Sequence, residues 1–265
     1  MRSPKKRIAQ MSLWFQWVHF WPILGVIMVP LIMGGMPLRD KDTLIAHFDV
    51  IAFGNEYTHE RFDRVRKWKN PIRIGVQGAA PEFLDADIRQ HTDDLHRLTG
   101  HDMALIYSEN MRKSGMVADD FDTRQLNVIV YFIPQDKIHK TVLRYFDNKK
   151  EHVDQMIRSS TCFAKFFKKG DEIRAAIVVI PSQHSRETIR ACVIEELAQI
   201  MGLPNDSDAV TGSIFKDKSG NNELTQQDRT LLALLYDSRI PVGMVREDAL
   251  AMARKILDEG FVVSP

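Results

Sequence analysis

The pattern of apolar and polar positions changes character several times along the chain. No charged side chain occurs from Ser12 to Leu38, a run long enough to cross a bilayer, for which roughly 20 residues suffice at ~1.5 Å rise each. Beyond it, Asp42 to Val50 and Glu60 to Trp68 have helical spacing and mixed charge, which predicts two short helices leading into a folded domain. Ile72 to Val76 is a β-type run between Pro71 and Gly78, and Pro81 to Leu98 is an amphipathic helix stopped by Gly100. Met103 to Tyr107 and Leu126 to Ile133 predict strands separated by a polar loop containing Gly115. Helical spacing returns from Lys137 to Arg158. A hairpin is expected next, with Cys162 to Phe167 and Ile173 to Ile180 joined through the turn Lys168 to Asp171.

Ser185 to Met201 is the strongest helix, opening on polar residues and closing at Gly202 before Pro204. Thr225 and Asp228 have capping-box spacing and open an apolar helix ending near Tyr236, and a last helix runs from about Glu247 to Asp258. This order of strand, helix, two strands, hairpin and long helix predicts an α/β (α+β) fold, one twisted mixed sheet flanked by helices. The expected organisation is a basic tail over 1–11, a transmembrane anchor over 12–38 and a helical stalk over 39–70. A single soluble domain over 71–245 and a C-terminal helix and tail over 246–265 follow.

Charge adds a direction. Arg2, Lys5, Lys6 and Arg7 precede the apolar run, so the start of the chain is expected to stay in the cytoplasm while the remainder is exported. That predicts a single-pass protein of the bacterial inner membrane with its soluble domain in the periplasm. A cleaved signal peptide shares the basic start, but the apolar run is long and no A-x-A-like site closes it. Lysine plus arginine, 36, nearly balances aspartate plus glutamate, 35, so no global field favours nucleic acid. Cys162 and Cys192 are the only cysteines. An oxidising compartment allows them to join, and two buried free thiols are the alternative.

On the long helix, Cys192, Glu195, Glu196 and Gln199 share one stripe, because three- and four-residue steps return to the same face. Val193, Ile194, Leu197, Ile200 and Met201 occupy the opposite arc and are expected to pack on the sheet. The carboxylates and the amide then face solvent or a cleft. Gly-rich phosphate loops, serine-nucleophile elbows and CxxC pairs are all absent from the sequence, which argues against nucleotide, serine-hydrolase and thiol-redox functions.

The segment Glu195-Glu196-Leu197-Ala198-Gln199-Ile200-Met201-Gly202-Leu203-Pro204-Asn205-Asp206 resembles the zinc-binding helix and glycine turn of the metzincin metallopeptidases, HExxHxxGxxH/D. Ser213-Ile214-Phe215 lies where the matrixin branch of that family has its methionine turn, and Leu224 to Asp228 with Leu235-Tyr236 resembles its closing helix. The resemblance implies a zincin-like domain with Glu196 at the general-base position and Gly202 at the turn towards the metal. It puts Glu195, Gln199 and Asn205 on the three zinc-ligand positions, and Ile214 replaces the methionine. One carboxylate and two amides hold zinc weakly, so the expected cofactor is none or a weakly bound divalent metal. The motifs C-x-x-E-E-L-x-Q, G-L-x-N-D, S-I-F and L-T-x-x-D also resemble those of an uncharacterised family of bacterial exported or membrane-anchored proteins, a domain of unknown function.

Three functions follow from these resemblances. The first is a degenerate metallopeptidase-like domain that binds an exported protein or peptide without cutting it. Its expected binding edge runs along Cys162 to Phe167, with Lys165 and Phe167 exposed beside the helix. The second is an active hydrolase in which Glu196 is the base, with Glu195 as its carboxylate pair or with an unusual metal. The third is a structural or assembly subunit of a membrane complex.

Overall fold

A computed structural model describes residues 38–58, 60–216, 219, 221–261 and 263. The expected basic tail and all but the last residue of the expected spanning segment lie outside the described residues. Among the described residues no helix is long and apolar enough to cross a membrane.

In chain order the elements are α1 (Leu38–Phe53), β1 (Lys67–Trp68), β2 (Ile72–Gln77), α2 (Glu82–Thr99), β3 (Met103–Tyr107), α3 (Glu109–Lys113), β4 (Val128–Ile133), α4 (Gln135–Tyr145), α5 (Lys150–Ser159), β5 (Phe163–Lys169), β6 (Glu172–Pro181), α6 (Arg186–Gln199), α7 (Gln226–Tyr236) and α8 (Arg246–Asp258). Across the sheet the long strands run β3-β2-β4-β6-β5, and β1 extends the start of β6. All neighbours are parallel except the β5–β6 hairpin, which leaves β5 as an antiparallel edge. This is the mixed sheet flanked by helices that the pattern predicts.

The strands carry apolar residues towards both faces. Ile74, Val130, Val178 and Ile180 belong to the larger core, shared with α1, α2, α6, α7 and α8. Ile177, Val179 and Phe163 face the other way and are covered by Ile138, Val142, Phe146, Val153 and Met156 of α4, α5 and their link. Continuous burial from Ala176 to Pro181 explains why that part of β6 reads as an unbroken apolar run.

Two expectations change. The stretch 39–70 is part of the domain: Phe48, Ile51 and Phe53 of α1 are fully buried, and α1 packs against α7 and α8. Glu60 to Trp68 forms no helix, because its backbone pairs with the segment before α8. Val65 N donates to Met244 O, Gly243 N to Val65 O and Arg246 N to Asp63 O. The helical spacing from Lys137 to Arg158 belongs to two helices, α4 and α5. Phe146 turns into the smaller core, and Asp147 accepts from Lys149 N at 2.7 Å and bonds His152 Nδ1 at 2.9 Å, an Asx-type turn that ends one helix and starts the next.

Candidate functional site

The end of α6 is held by groups from distant parts of the chain. Trp68 Nε1 donates to Ile200 O at 2.7 Å and Tyr236 Oη to Met201 O at 2.9 Å, capping carbonyls that the helix leaves free. Gly202 follows with φ of 119°, and a Cβ there would lie 2.1 Å from Arg66 O, so only glycine fits this reversal. The chain returning from Gly202 is tied to the segment after α1. Glu56 N donates to Pro204 O at 3.2 Å, and Asn205 Nδ2 donates to Val50 O at 3.0 Å. Those ties set Glu56 over the polar stripe of α6.

The stripe is not a wet helix face. Cys192, Glu196 and Gln199 are buried, Glu196 at 3% exposure. Gln199 Nε2 donates to Asp206 Oδ1 at 2.8 Å and stands 3.5 Å from Glu56 Oε2, while Ser160 Oγ donates to Glu56 Oε1 at 2.9 Å. Glu195 bonds Asp206, one carboxyl group to another. Glu196 Oε2 is buried with no hydrogen-bond partner, and the Tyr57 hydroxyl is buried next to the Glu56 carboxyl. Among the described residues no lysine, arginine or histidine forms an ion pair with Glu56, Glu195 or Glu196.

Buried carboxyl groups without cationic partners favour their neutral form. Burial, reinforced by the charge of Asp206, pushes Glu56 up to about 8. Burial raises Glu195 and Glu196 well above the usual carboxylate range, with the charge of Asp206 the next contributor for Glu195 and that of Glu56 for Glu196. Burial and then the charge of Glu56 raise the Tyr57 hydroxyl. The result is a cluster that holds protons at neutral pH.

A cleft of about 710 Å³ opens onto this cluster. Glu56, Tyr57 and Gln199 lie at its polar end, Phe62, Phe146, Met156 and Ile200 form apolar wall, and Ala164, Lys165, Phe166 and Lys168 of β5 make one side. Two rim lysines are turned aside: Lys165 Nζ donates to Phe146 O at 2.6 Å, and Lys168 Nζ to Gly170 O at 3.1 Å.

The structure separates the residues singled out in the sequence. Glu195 and Gln199 meet at Asp206, whereas Asn205 is engaged with Val50 and does not line the cleft. Glu196 does not line the cleft, although it feels the charge of Glu56. Among the described residues no group of three or more His, Cys, Asp and Glu side chains is arranged to hold a metal ion. Along the expected binding edge, Lys165 lines the cleft, Phe167 is exposed outside it, and Cys162 precedes β5. Cys162 is joined to Cys192 with Cα atoms 5.8 Å apart, which fastens the edge strand to α6. Glu56 and Ser160 had no sequence signal, since each sits in a short irregular segment whose partners lie far along the chain.

The other motifs build the frame behind the site. Asp228 is fully buried and gathers four donors: Ser213 Oγ at 2.5 Å, Ile214 N at 3.2 Å, Thr225 N at 2.8 Å and Thr225 Oγ1 at 2.7 Å. S-I-F and L-T-x-x-D are thus two halves of one buried clasp, completed by the capping box at the start of α7. No curated protein and no solved structure matches the chain. A family match runs over residues 41–255, from α1 into α8 and across every element of the site, and by it the chain belongs to the family described as Protein of unknown function (DUF2927).

Proposed function

We propose that this is a membrane-anchored, periplasmic, metallopeptidase-like domain that binds an extended segment of an exported protein or peptide without zinc catalysis. The observation that carries the reading is the cleft between the free edge strand β5 and the polar end of α6, about 710 Å³ in volume. An edge strand offers unpaired backbone groups to an added strand, and the adjoining apolar wall offers area to its side chains. The metzincin resemblance supports it, because that family takes substrate along a sheet edge beside its metal helix. The Cys162–Cys192 disulfide supports export to an oxidising compartment, as does the charge-free run from Ser12 to Leu38 behind a basic start. The test is saturable binding of pools of synthetic ten-residue peptides to the full chain, compared with Ser159→Trp, which places an indole in the cleft from an exposed position on α5. Binding by the unmutated chain and its loss in the variant support the reading, and no saturable binding by any pool up to millimolar concentration rejects it.

A second reading is favoured by Glu56, a carboxyl group at the cleft wall that burial pushes up to about 8. Such a group can donate a proton to a leaving group at neutral pH, and Glu196 shares its electrostatic environment. Cleavage of any pooled peptide, lost in Glu56→Gln and in Glu196→Gln with folding intact, establishes this hydrolase reading. Cleavage that persists in both variants removes it.

A further inference from the structure

Glu56, Tyr57 and Gln199 line the cleft together. Glu56 reaches the cleft with Oε1 held by Ser160 and Oε2 only 3.5 Å from the Gln199 amide nitrogen. Glu196, 3% exposed and outside the cleft lining, has an unpartnered Oε2 and lies within range of the charges on Glu56 and Asp206. A buried carboxylate needs a partner of opposite charge or else a proton. The apolar and aromatic side chains of the lining are Phe62, Phe146, Met156 and Phe166, with Ile200 and Pro204 beside Gln199. One of these rings already lies under a guanidinium, since Arg66, buried and outside the cleft lining, sits over Phe62.

We infer that the cleft takes the side chain of a lysine or arginine from the bound segment, its alkyl stem against Phe62, Phe146, Phe166 and Met156 and its charged head on Glu56. This rests on the peptide-binding reading and names the residue class that reading requires. Two features favour a long organic cation over a bare metal ion: the apolar length of the wall, and the lack, among the described residues, of three or more acidic or imidazole ligands arranged around one point. The rim lysines do not fill the role, because Lys165 and Lys168 are engaged with backbone carbonyls.

Occupancy of this pocket is coupled to a proton. The head group pairs with ionised Glu56, whose carboxyl is pushed up to about 8, so binding displaces the proton and strengthens as pH rises. The charged and titratable groups that face Glu56 are Tyr57 beside it, Glu195 and Glu196 from α6, and Asp206 from the loop after α6. Asp147, His152, Lys165 and Lys168 stand on the cleft rim.

The experiment measures binding to the full chain in mild detergent of three capped pentapeptides, alanine throughout except for a central arginine, lysine or norleucine, with n-butylguanidinium as a fourth probe. The expected result at pH 8.5 is that the two basic peptides bind about tenfold or more tighter than the norleucine peptide. That preference disappears in Glu56→Gln, and in the unmutated chain it falls by at least about tenfold by pH 6.5, a series that decides the matter if the variant folds poorly. Equal affinity for the basic and norleucine peptides overturns the cation pocket and leaves peptide binding standing. Binding of n-butylguanidinium that Glu56→Gln removes, with no peptide bound, keeps the pocket and overturns peptide binding. No binding of any probe overturns both.

Discussion

Raising the pH from 6.5 to 8 destabilises this fold, and Glu56 is the main reason. A carboxyl group that titrates near 8 in the folded chain and near 4.5 unfolded keeps its proton on folding. Between those values the native state binds more protons than the unfolded one, so stability is fully present below about 4.5 and is lost as pH rises through 8. The window is bounded on both sides. Below about 6.5, His91, which burial lowers to about 4, adds the opposite slope, because the unfolded chain then takes up a proton that the folded chain refuses. Above about 8, Lys67, lowered to about 8 by burial, adds stability as the unfolded chain alone stays protonated. Inside the window one fully shifted carboxyl contributes at most about 1.4 kcal/mol per pH unit. Glu56 lines the cleft and is only partly covered, so the expectation is about 1 kcal/mol over the whole window. Glu195 and Glu196, both raised by burial, act in the same direction. Urea unfolding at pH 6.5, 7.25 and 8 measures the slope, and Glu56→Gln should flatten it by about 1 kcal/mol. Stability that holds level or rises across the window refutes the protonated cluster.

Gly202→Ala is expected to destabilise by about 3 kcal/mol or more, since it combines positive φ with a Cβ 2.1 Å from Arg66 O, and a urea midpoint or a collapse in folded yield reads it. Joining Cys162 to Cys192 across a sequence separation of 30 stabilises by roughly 3–4 kcal/mol on the chain-entropy argument, so reduction should lower the midpoint, and its rate should rise on loosening β5. Asp228→Ala strands donors at Ser213, Ile214 and Thr225 and should cost about 3 kcal/mol, whereas Asp258→Ala, whose pair with Lys41 is half exposed, should cost under about 1 kcal/mol in the same assay.

The strands and most helices were legible because their periodicity is local. β3 spans Met103–Tyr107 as predicted, Gly100 stops α2, and Thr225 with Asp228 forms the expected capping box. The misread segments are those whose backbone partners are distant. Glu60 to Trp68 has helical spacing, but its hydrogen bonds go to the strand-like stretch before α8, some 180 residues on. The site was legible by half. The stripe of Glu195, Glu196 and Gln199 follows from helical geometry, and so does its neighbour Cys192. Its burial does not follow, because the cover comes from Glu56 and Tyr57 after α1 and from Asp206 after Gly202, whose approach depends on the ties between Pro204, Asn205 and the end of α1. Glu56 and Tyr57, which supply part of that cover, lie within the stretch 39–70 whose spacing predicts a stalk. Asn205 illustrates the same limit from the other side, since its position in a resembling motif suggested a ligand and its amide in fact secures the carbonyl of Val50.

The central claim, that a peptide lies along β5 and into the cleft, is tested most directly by amide hydrogen exchange on the full chain with and without the tightest-binding peptide. The account predicts slowed exchange concentrated over Ala164 to Lys168 and over the segment around Glu56, about tenfold or more at saturation. Saturated binding with unchanged exchange along β5 and protection elsewhere would contradict it.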